Sequence, residues 1–152
     1  DDVRHLKDRY APDSFDAVIC NPPYFNMEEK NLLSKRVSKS IARHELMLTL
    51  DDIIHISRYL LKDKGKLFLI YRTERIVELL SKLSLHRLEP KTIQIIYSNR
   101  HKQSKLFLIE ARLNGGKECK IDPPLIVYDD FGEYTKEIIN MLGDGKDDSK
   151  KL

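Results

Sequence analysis

The chain reads Asp16-Ala17-Val18-Ile19-Cys20-Asn21-Pro22-Pro23-Tyr24 at the point where an apolar run meets a polar tetrapeptide. Such a run is typical of a buried strand, and the functional groups of open α/β sheets lie just beyond the carboxyl ends of their strands. The same residue types also end strands and form turns, and an exposed Asn-Pro-x-Tyr tail can dock an adaptor protein. The strand that precedes the tetrapeptide favours a functional site.

The tetrapeptide suits the presentation of a planar amine to an electrophile. Asn21 has a side-chain carbonyl oxygen, and Pro22 and Pro23 keep their backbone carbonyls while lacking an N–H. Two such acceptors can take both hydrogens of an –NH2 group and direct its lone pair outward. Tyr24 adds an aromatic face on which a flat base can stack. No group here is a strong base, so the chemistry requires an electrophile that is already activated, such as a methyl group on a sulfonium.

Length and composition predict one domain. The chain has 152 residues, is 41% hydrophobic and 34% charged, and carries a formal net charge of +3. We assign residues 1–142 to the domain and predict a disordered tail over 143–152. Cys20 and Cys119 fit no zinc spacing, so we expect no metal. The sequence has no signal peptide and no apolar stretch long enough to span a bilayer, which makes a cytoplasmic protein without a membrane partner the expectation.

The order of predicted elements is strand, helix, strand, helix, strand, strand. Thr49 and Asp52 resemble a capping box for the first clear helix, Gly65 is expected to be its carboxyl cap, and Thr73 is expected to cap the second helix. The link from Ser98 to Gln103 is too short for a helical crossover and predicts an antiparallel hairpin. The remaining elements are strands at 66–71, 90–97 and 104–113, an extended piece at 124–128 and a closing helix at 133–142.

Basic residues cluster in three places along the chain. Five lie between Lys30 and Arg43 with no acidic residue among them, directly after the candidate site. Arg72 and Arg75 follow a predicted strand, where they can face a substrate or simply solvate a helix start. The third cluster is at the predicted hairpin tip: Arg100, His101, Lys102 and Lys105. Each cluster is either a solvated surface or a binding site for phosphate groups.

Three passages carry a family resemblance. They are 15–25, with the tetrapeptide; Ala42-Arg43-His44-Glu45; and Pro123 to Tyr128 with Gly132-Glu133-Tyr134-Thr135. Together they resemble the bacterial tRNA(Val) adenine N(6)-methyltransferases, which belong to the class I amino-methyltransferases that use S-adenosylmethionine. The resemblance implies an α/β, Rossmann-like class I methyltransferase fold, of which this chain would supply the C-terminal half: strands four to seven with the final antiparallel hairpin. The strand at 104–113 would then lie between those at 66–71 and 90–97.

The chain departs from the family pattern at the cofactor site. The family binds its cofactor with a glycine-rich loop after the first strand, and none of the six glycines here forms such a loop. We therefore expect the N-terminal cofactor-binding strands to be missing, with the strand that ends at Asn21 exposed at the sheet edge. An exposed strand edge favours self-association. We also expect this chain by itself to lack a complete cofactor site.

The resemblance also implies roles for individual residues. Asn21, Pro22, Pro23 and Tyr24 would be catalytic, with Asn21 also near the cofactor. Asp2 and Val3 would match the family position that binds the adenine amine of S-adenosylmethionine. The substrate-binding residues would be Tyr24, Phe25, Arg43, His44 and Glu45.

The expected function is transfer of a methyl group from S-adenosylmethionine to the exocyclic amine of adenine in RNA, most naturally tRNA. A glutamine-amide protein methyltransferase is the alternative enzyme, although that family usually places Glu-Pro soon after the tyrosine, where this chain has Phe25-Asn26-Met27. DNA adenine is a further possible substrate. A non-catalytic RNA-binding module is the alternative from another class.

Overall fold

A six-stranded sheet organises the molecule. The computed structural model describes residues 3–22 and 48–143. In chain order the elements are a 3₁₀ helix Val3–Asp8, β1 Phe15–Cys20, α1 Leu50–Leu60, β2 Leu61–Arg72, a 3₁₀ turn Thr73–Arg75, α2 Ile76–Leu85, β3 Leu88–Tyr97, β4 Leu106–Leu113, β5 Lys120–Ile121, β6 Leu125–Ile126 and α3 Lys136–Leu142.

The strand order is β1-β2-β4-β3, with the short strands β5 and β6 on the far side of β3. β1 and β2 are parallel, whereas β4 is antiparallel to both β2 and β3. The predicted hairpin and the predicted insertion of its second strand between its neighbours are therefore confirmed. Because β2 and β3 point the same way, the carboxyl ends of β1, β2 and β3 and the start of β4 share one edge of the sheet, called here the carboxyl edge.

Helices α1 and α2 cover one face of this sheet. Alternate residues of β2, from Leu67 to Tyr71, and of β4, from Phe107 to Leu113, point into one core cluster with the apolar faces of both helices. The largest apolar side chains with less than 2% exposure are Phe107, Ile53, Ile54, Leu61, Leu67, Leu69, Leu79, Leu83 and Leu88. The two helices are also joined by an ion pair, in which the Lys82 ammonium nitrogen lies 2.6 Å from a carboxylate oxygen of Asp51. The core thus fixes the orientation of the strands whose ends form the carboxyl edge.

The start of α1 agrees with its prediction and the end does not. Asp52 donates its backbone N–H to the Thr49 hydroxyl, and its carboxylate accepts from the Thr49 backbone N–H, which completes the capping box. The helix ends at Leu60, and Gly65 lies inside β2, so the expected glycine cap is wrong. A β-carbon on Gly65 would lie 2.8 Å from the Lys62 carbonyl oxygen. Glycine is therefore required here for close backbone approach and not for ending a helix.

The expected cap of the second helix is also wrong. No side chain caps the start of α2 or of the 3₁₀ turn before it. The Thr73 hydroxyl instead lies 3.0 Å from the Ser104 hydroxyl at the start of the β4 segment. A contact between elements distant in the sequence has replaced the local cap.

Candidate functional site

The first part of the predicted site lies at the carboxyl edge. Cys20 pairs with Leu69 of β2, and Asn21 and Pro22 directly follow the end of β1. Asn21 is exposed and Pro22 is buried. A buried proline with a fixed φ angle anchors the backbone here, so the exposed amide of Asn21 is attached to a rigid support. This placement agrees with a site beyond the end of a parallel strand.

Most of the other predicted site residues lie outside the described ranges. Val3 begins the 3₁₀ helix Val3–Asp8, which packs against α1. The structure thus positions Asn21 and Pro22 of the predicted set at the carboxyl edge, with Val3 on a separate helix. The roles assigned to Asp2, Pro23, Tyr24, Phe25, Arg43, His44 and Glu45 remain predictions, since these residues are outside the described part of the chain.

A groove opens on the same edge, between the end of β2 and the β3–β4 hairpin. Arg72, the last residue of β2, pairs with Leu106, the first residue of β4. The Thr73 backbone N–H donates to the Lys105 carbonyl at 3.0 Å, and the Ser104 hydroxyl donates to the Ile96 carbonyl at 2.8 Å. The volume of the groove is about 850 Å³, and its lining residues are Arg72, Thr73, Glu74, Ile95, Tyr97, Arg100, His101, Lys102, Gln103, Ser104 and Lys105.

The lining of this groove, called here the basic groove, is predominantly cationic. It contains four Lys and Arg side chains and one carboxylate, that of Glu74. Glu74 lies 3.1 Å from the Arg72 guanidinium. The ammonium groups of Lys102 and Lys105 are exposed and form no ion pair with any residue in 3–22 or 48–143. Arg72 and the basic cluster at the hairpin tip, which are separate in the sequence, therefore form one surface, and its positive charge suits phosphate groups.

Arg75 has a different role from Arg72. Its guanidinium donates two hydrogen bonds to the Glu78 carboxylate, both at 2.8 Å, and one to the Tyr71 hydroxyl at 2.9 Å. The hydrogen bonds from Arg75 lower the pKa of Glu78. Of the two readings of Arg75 from the sequence, the structure favours a local role at the helix start.

Cys20, the last residue of β1, lies next to the candidate site. Burial raises the pKa of the Cys20 thiol, so this side chain stays protonated near neutral pH and is a poor nucleophile.

Among the described residues, no group of three or more His, Cys, Asp or Glu side chains is arranged to hold a metal ion. In the same part of the chain, no helix combines the length and apolarity needed to cross a lipid bilayer.

Sequence reasoning missed two features of this edge. It did not foresee that Thr73 and Ser104 join Arg72 to the basic hairpin tip, although the strand order implied by the family resemblance would have placed Arg72 beside the start of the second hairpin strand. It also did not foresee that Asp130 binds the hairpin tip, with its carboxylate 3.5 Å from the Arg100 side chain and 3.2 Å from that of His101. No sequence signal links residues so far apart in these loops.

Comparison with known proteins supports the resemblance. The chain is 27% identical over 134 residues to a protein of Cytophaga hutchinsonii named tRNA1(Val) (adenine(37)-N6)-methyltransferase, an alignment that covers 88% of this chain and 55% of the relative. Proteins of the same name match from Porphyromonas gingivalis, at 28% over 132 residues (84% and 49% covered), and from Aliivibrio salmonicida, at 35% over 83 residues (53% and 34% covered). The chain spans about half the length of the first of these relatives. No protein-family model matches it.

Solved structures support the fold. A predicted O-methyltransferase from Agrobacterium tumefaciens superposes with a TM-score of 0.64 at 19% identity, covering 88% of this chain and 53% of the other. A candidate DNA modification methylase from Thermus thermophilus gives a TM-score of 0.51 at 14% identity, with 76% and 53% covered. The predicted resemblance to the tRNA(Val) adenine N(6)-methyltransferases and the predicted class I methyltransferase fold are thus confirmed.

Proposed function

We propose that this chain belongs to an enzyme that transfers a methyl group from S-adenosylmethionine to the exocyclic amine of an adenine in tRNA. The observation that carries the proposal is the position of Asn21 and Pro22 at the carboxyl end of β1, beside a strand that ends in the basic groove. An amine-binding group and a phosphate-binding surface then share one edge of the sheet. The names of the relatives favour the same substrate and the same reaction.

The amine would be held by hydrogen-bond acceptors alone. The side-chain oxygen of Asn21 and the backbone carbonyl of Pro22 would accept the two N–H groups, which directs the nitrogen lone pair away from the protein. Positive charge develops on this nitrogen as its bond to carbon forms, and the acceptor dipoles stabilise that charge. Tyr24 would stack on the adenine ring. Rate enhancement would come chiefly from this positioning.

S-adenosylmethionine would supply the activated methyl group. The exposed amide of Asn21 fits a role beside it, because ligands of open α/β sheets bind beyond the carboxyl ends of the strands. Asp2 and Val3 remain the proposed positions for its adenine amine.

The proposed partners are tRNA and a second copy of this chain, and the proposed location is the cytoplasm. RNA would use the basic groove. Self-association would use β1, since in the described part of the chain this strand pairs with β2 alone and stands at the sheet edge.

Transfer of labelled methyl from S-adenosylmethionine to a valine tRNA transcript tests the proposal. The assay should be run on this chain and on the full product of its gene, with Asn21→Ala as the test variant. Loss of one positioned polar group at a transition state typically lowers kcat by about 10²- to 10³-fold. Unchanged transfer by the variant, or absence of transfer by the full product, would refute the proposal. A thermal melt of Asn21→Ala distinguishes a lost role from a lost fold.

A further inference from the structure

The loop that follows β6 presents an aromatic side chain to solvent. Phe131 is 91% exposed, which is the highest value among the large exposed apolar side chains of the described residues. Its loop, residues 128–134, is called here the aromatic loop. The Asp129 carboxylate accepts hydrogen bonds from the backbone N–H groups of Phe131 at 2.9 Å and Glu133 at 3.0 Å. The backbone of Phe131 is therefore fixed even though its ring lies in water.

The base of the aromatic loop is closed by further contacts. The rings of Tyr128 and Tyr134 stack with centroids 5.1 Å apart and 16° between their planes, and the two residues form an antiparallel bridge. Hydrogen bonding to Tyr134 raises the pKa of Tyr128, so this phenol stays neutral at physiological pH. The Thr135 hydroxyl donates to the Ile126 carbonyl at 2.7 Å. A closed base and an internally bonded turn give the loop a defined shape.

The aromatic loop is joined to the basic groove. The backbone N–H of Tyr128 donates to the Ser98 carbonyl at 2.9 Å, which places the loop beside the end of β3. The Asp130 carboxylate contacts the side chains of Arg100 and His101, and both of these line the groove. Phe131 is therefore the next residue in the chain after Asp130, which contacts the wall of the groove.

We propose that Phe131 stacks on a base of the RNA substrate, other than the methylated adenine, while Lys102 and Lys105 bind the phosphates of neighbouring nucleotides. The inference rests on the proposed function and adds to it a second base contact at the same edge of the sheet. Surfaces that bind single-stranded RNA combine a cationic groove with exposed aromatic rings, because every base has a face that can stack.

Two of the three acidic residues in the loop, Asp129 and Asp130, have partners that reduce their repulsion of RNA, while the third, Glu133, is exposed. The carboxylate of Asp129 is bound by backbone N–H groups, and that of Asp130 faces the Arg100 and His101 side chains. Stacking on Phe131 brings a neutral base to the loop, while the phosphates lie toward the two lysines. A protein that contacted Phe131 through apolar side chains would form no favourable electrostatic interaction with the neighbouring cations of the groove.

The direct test is the affinity of the chain for a single-stranded RNA of about ten nucleotides, a length within the usual range for such sites. Fluorescence anisotropy of labelled RNA gives the dissociation constant. Phe131→Ala should weaken binding by about 5- to 150-fold, the value of one aromatic stack, while the salt dependence stays unchanged because no charge is lost. Phe131→Tyr should retain binding. Leu85→Ala is the matched control, since Leu85 is 78% exposed at the end of α2, on the opposite edge of the sheet.

A second readout reports the stacking itself. The chain contains seven tyrosines but no tryptophan, so Phe131→Trp introduces a single tryptophan whose emission can be recorded selectively. RNA should quench its emission, whereas Leu85→Trp should be unaffected.

The outcomes separate this inference from the proposed function. Equal RNA affinities of Phe131→Ala and Leu85→Ala would overturn the inference and leave methyl transfer intact. A wild-type chain that binds no RNA would overturn the inference together with the proposed RNA substrate. Reduced self-association of Phe131→Ala with unchanged RNA affinity would assign Phe131 to contacts between copies and would also overturn it.

Discussion

The two unpaired lysines of the basic groove allow a quantitative prediction. Lys102 and Lys105 line the groove and form no ion pair within residues 3–22 and 48–143, whereas Arg72 is balanced by Glu74 and Arg100 by Asp130. If RNA phosphates occupy the groove, these two ammonium groups bind them most directly. The perturbation is the double variant Lys102→Ala, Lys105→Ala, and the quantity measured is the salt dependence of the RNA dissociation constant.

The magnitude follows from counterion release. Each phosphate contact on a single strand contributes about 0.7 to the slope of log affinity against log salt, so the double variant should lose about 1.4 from this slope. Between about 50 and 200 mM salt, the wild-type affinity should therefore fall about sevenfold more than that of the variant. The difference in affinity between the two proteins should shrink by this factor as salt is raised.

Anisotropy titrations at several salt concentrations measure both slopes. The control is Lys117→Ala, Lys120→Ala, which removes the same charge from exposed residues between β4 and the end of β5. A slope in the groove variant equal to that of the wild type, or an equal loss of slope in the control, would refute binding of phosphate by these two lysines.

Three further predictions concern stability and assembly. Gly65→Ala should lower the free energy of unfolding by about 1–3 kcal/mol, because the new β-carbon would press on the Lys62 carbonyl oxygen. The control is Gly116→Ala, whose β-carbon meets no atom within 4 Å and should cost nothing. Urea unfolding measures both variants. Glu78→Gln should cost under about 1 kcal/mol at pH 7, since the side chains of Arg75 and Glu78 are 40% and 39% exposed and water screens the pair. The pKa of Glu78 in the folded chain lies below its ordinary value of 4.5, so the ionised carboxylate stabilises the fold at pH values above 4.5. The cost of Glu78→Gln should therefore disappear as the pH falls through the lowered pKa. A constant cost across that range would contradict the ion-pair explanation. Ile19→Lys, on the β1 edge strand, should reduce any self-association seen by sedimentation, and an unchanged mass would exclude this edge.

Several local features could be predicted from the sequence, and the strand order could be predicted through the family resemblance. The apolar run before Asn21 predicted a strand that ends at the candidate site, and Thr49 and Asp52 predicted a capping box that the structure contains. The short link after Tyr97 predicted an antiparallel hairpin. These predictions succeeded because each depends on interactions among residues close in the chain, such as side-chain caps and the reach of a short loop. The insertion of β4 beside β2 came from the resemblance, since no local interaction specifies which strands are neighbours.

The hydrogen bonds and ion pairs between residues distant in the sequence became visible only in the folded chain. The Thr73 hydroxyl lies beside Ser104 instead of capping a helix, and the backbone approaches too closely at Gly65 for any side chain. The basic groove and the position of the aromatic loop beside it likewise depend on contacts between loops that are remote in sequence. Local preferences are typically worth about 1 kcal/mol per residue or less, so packing and pairing across the sheet can override them where the two conflict.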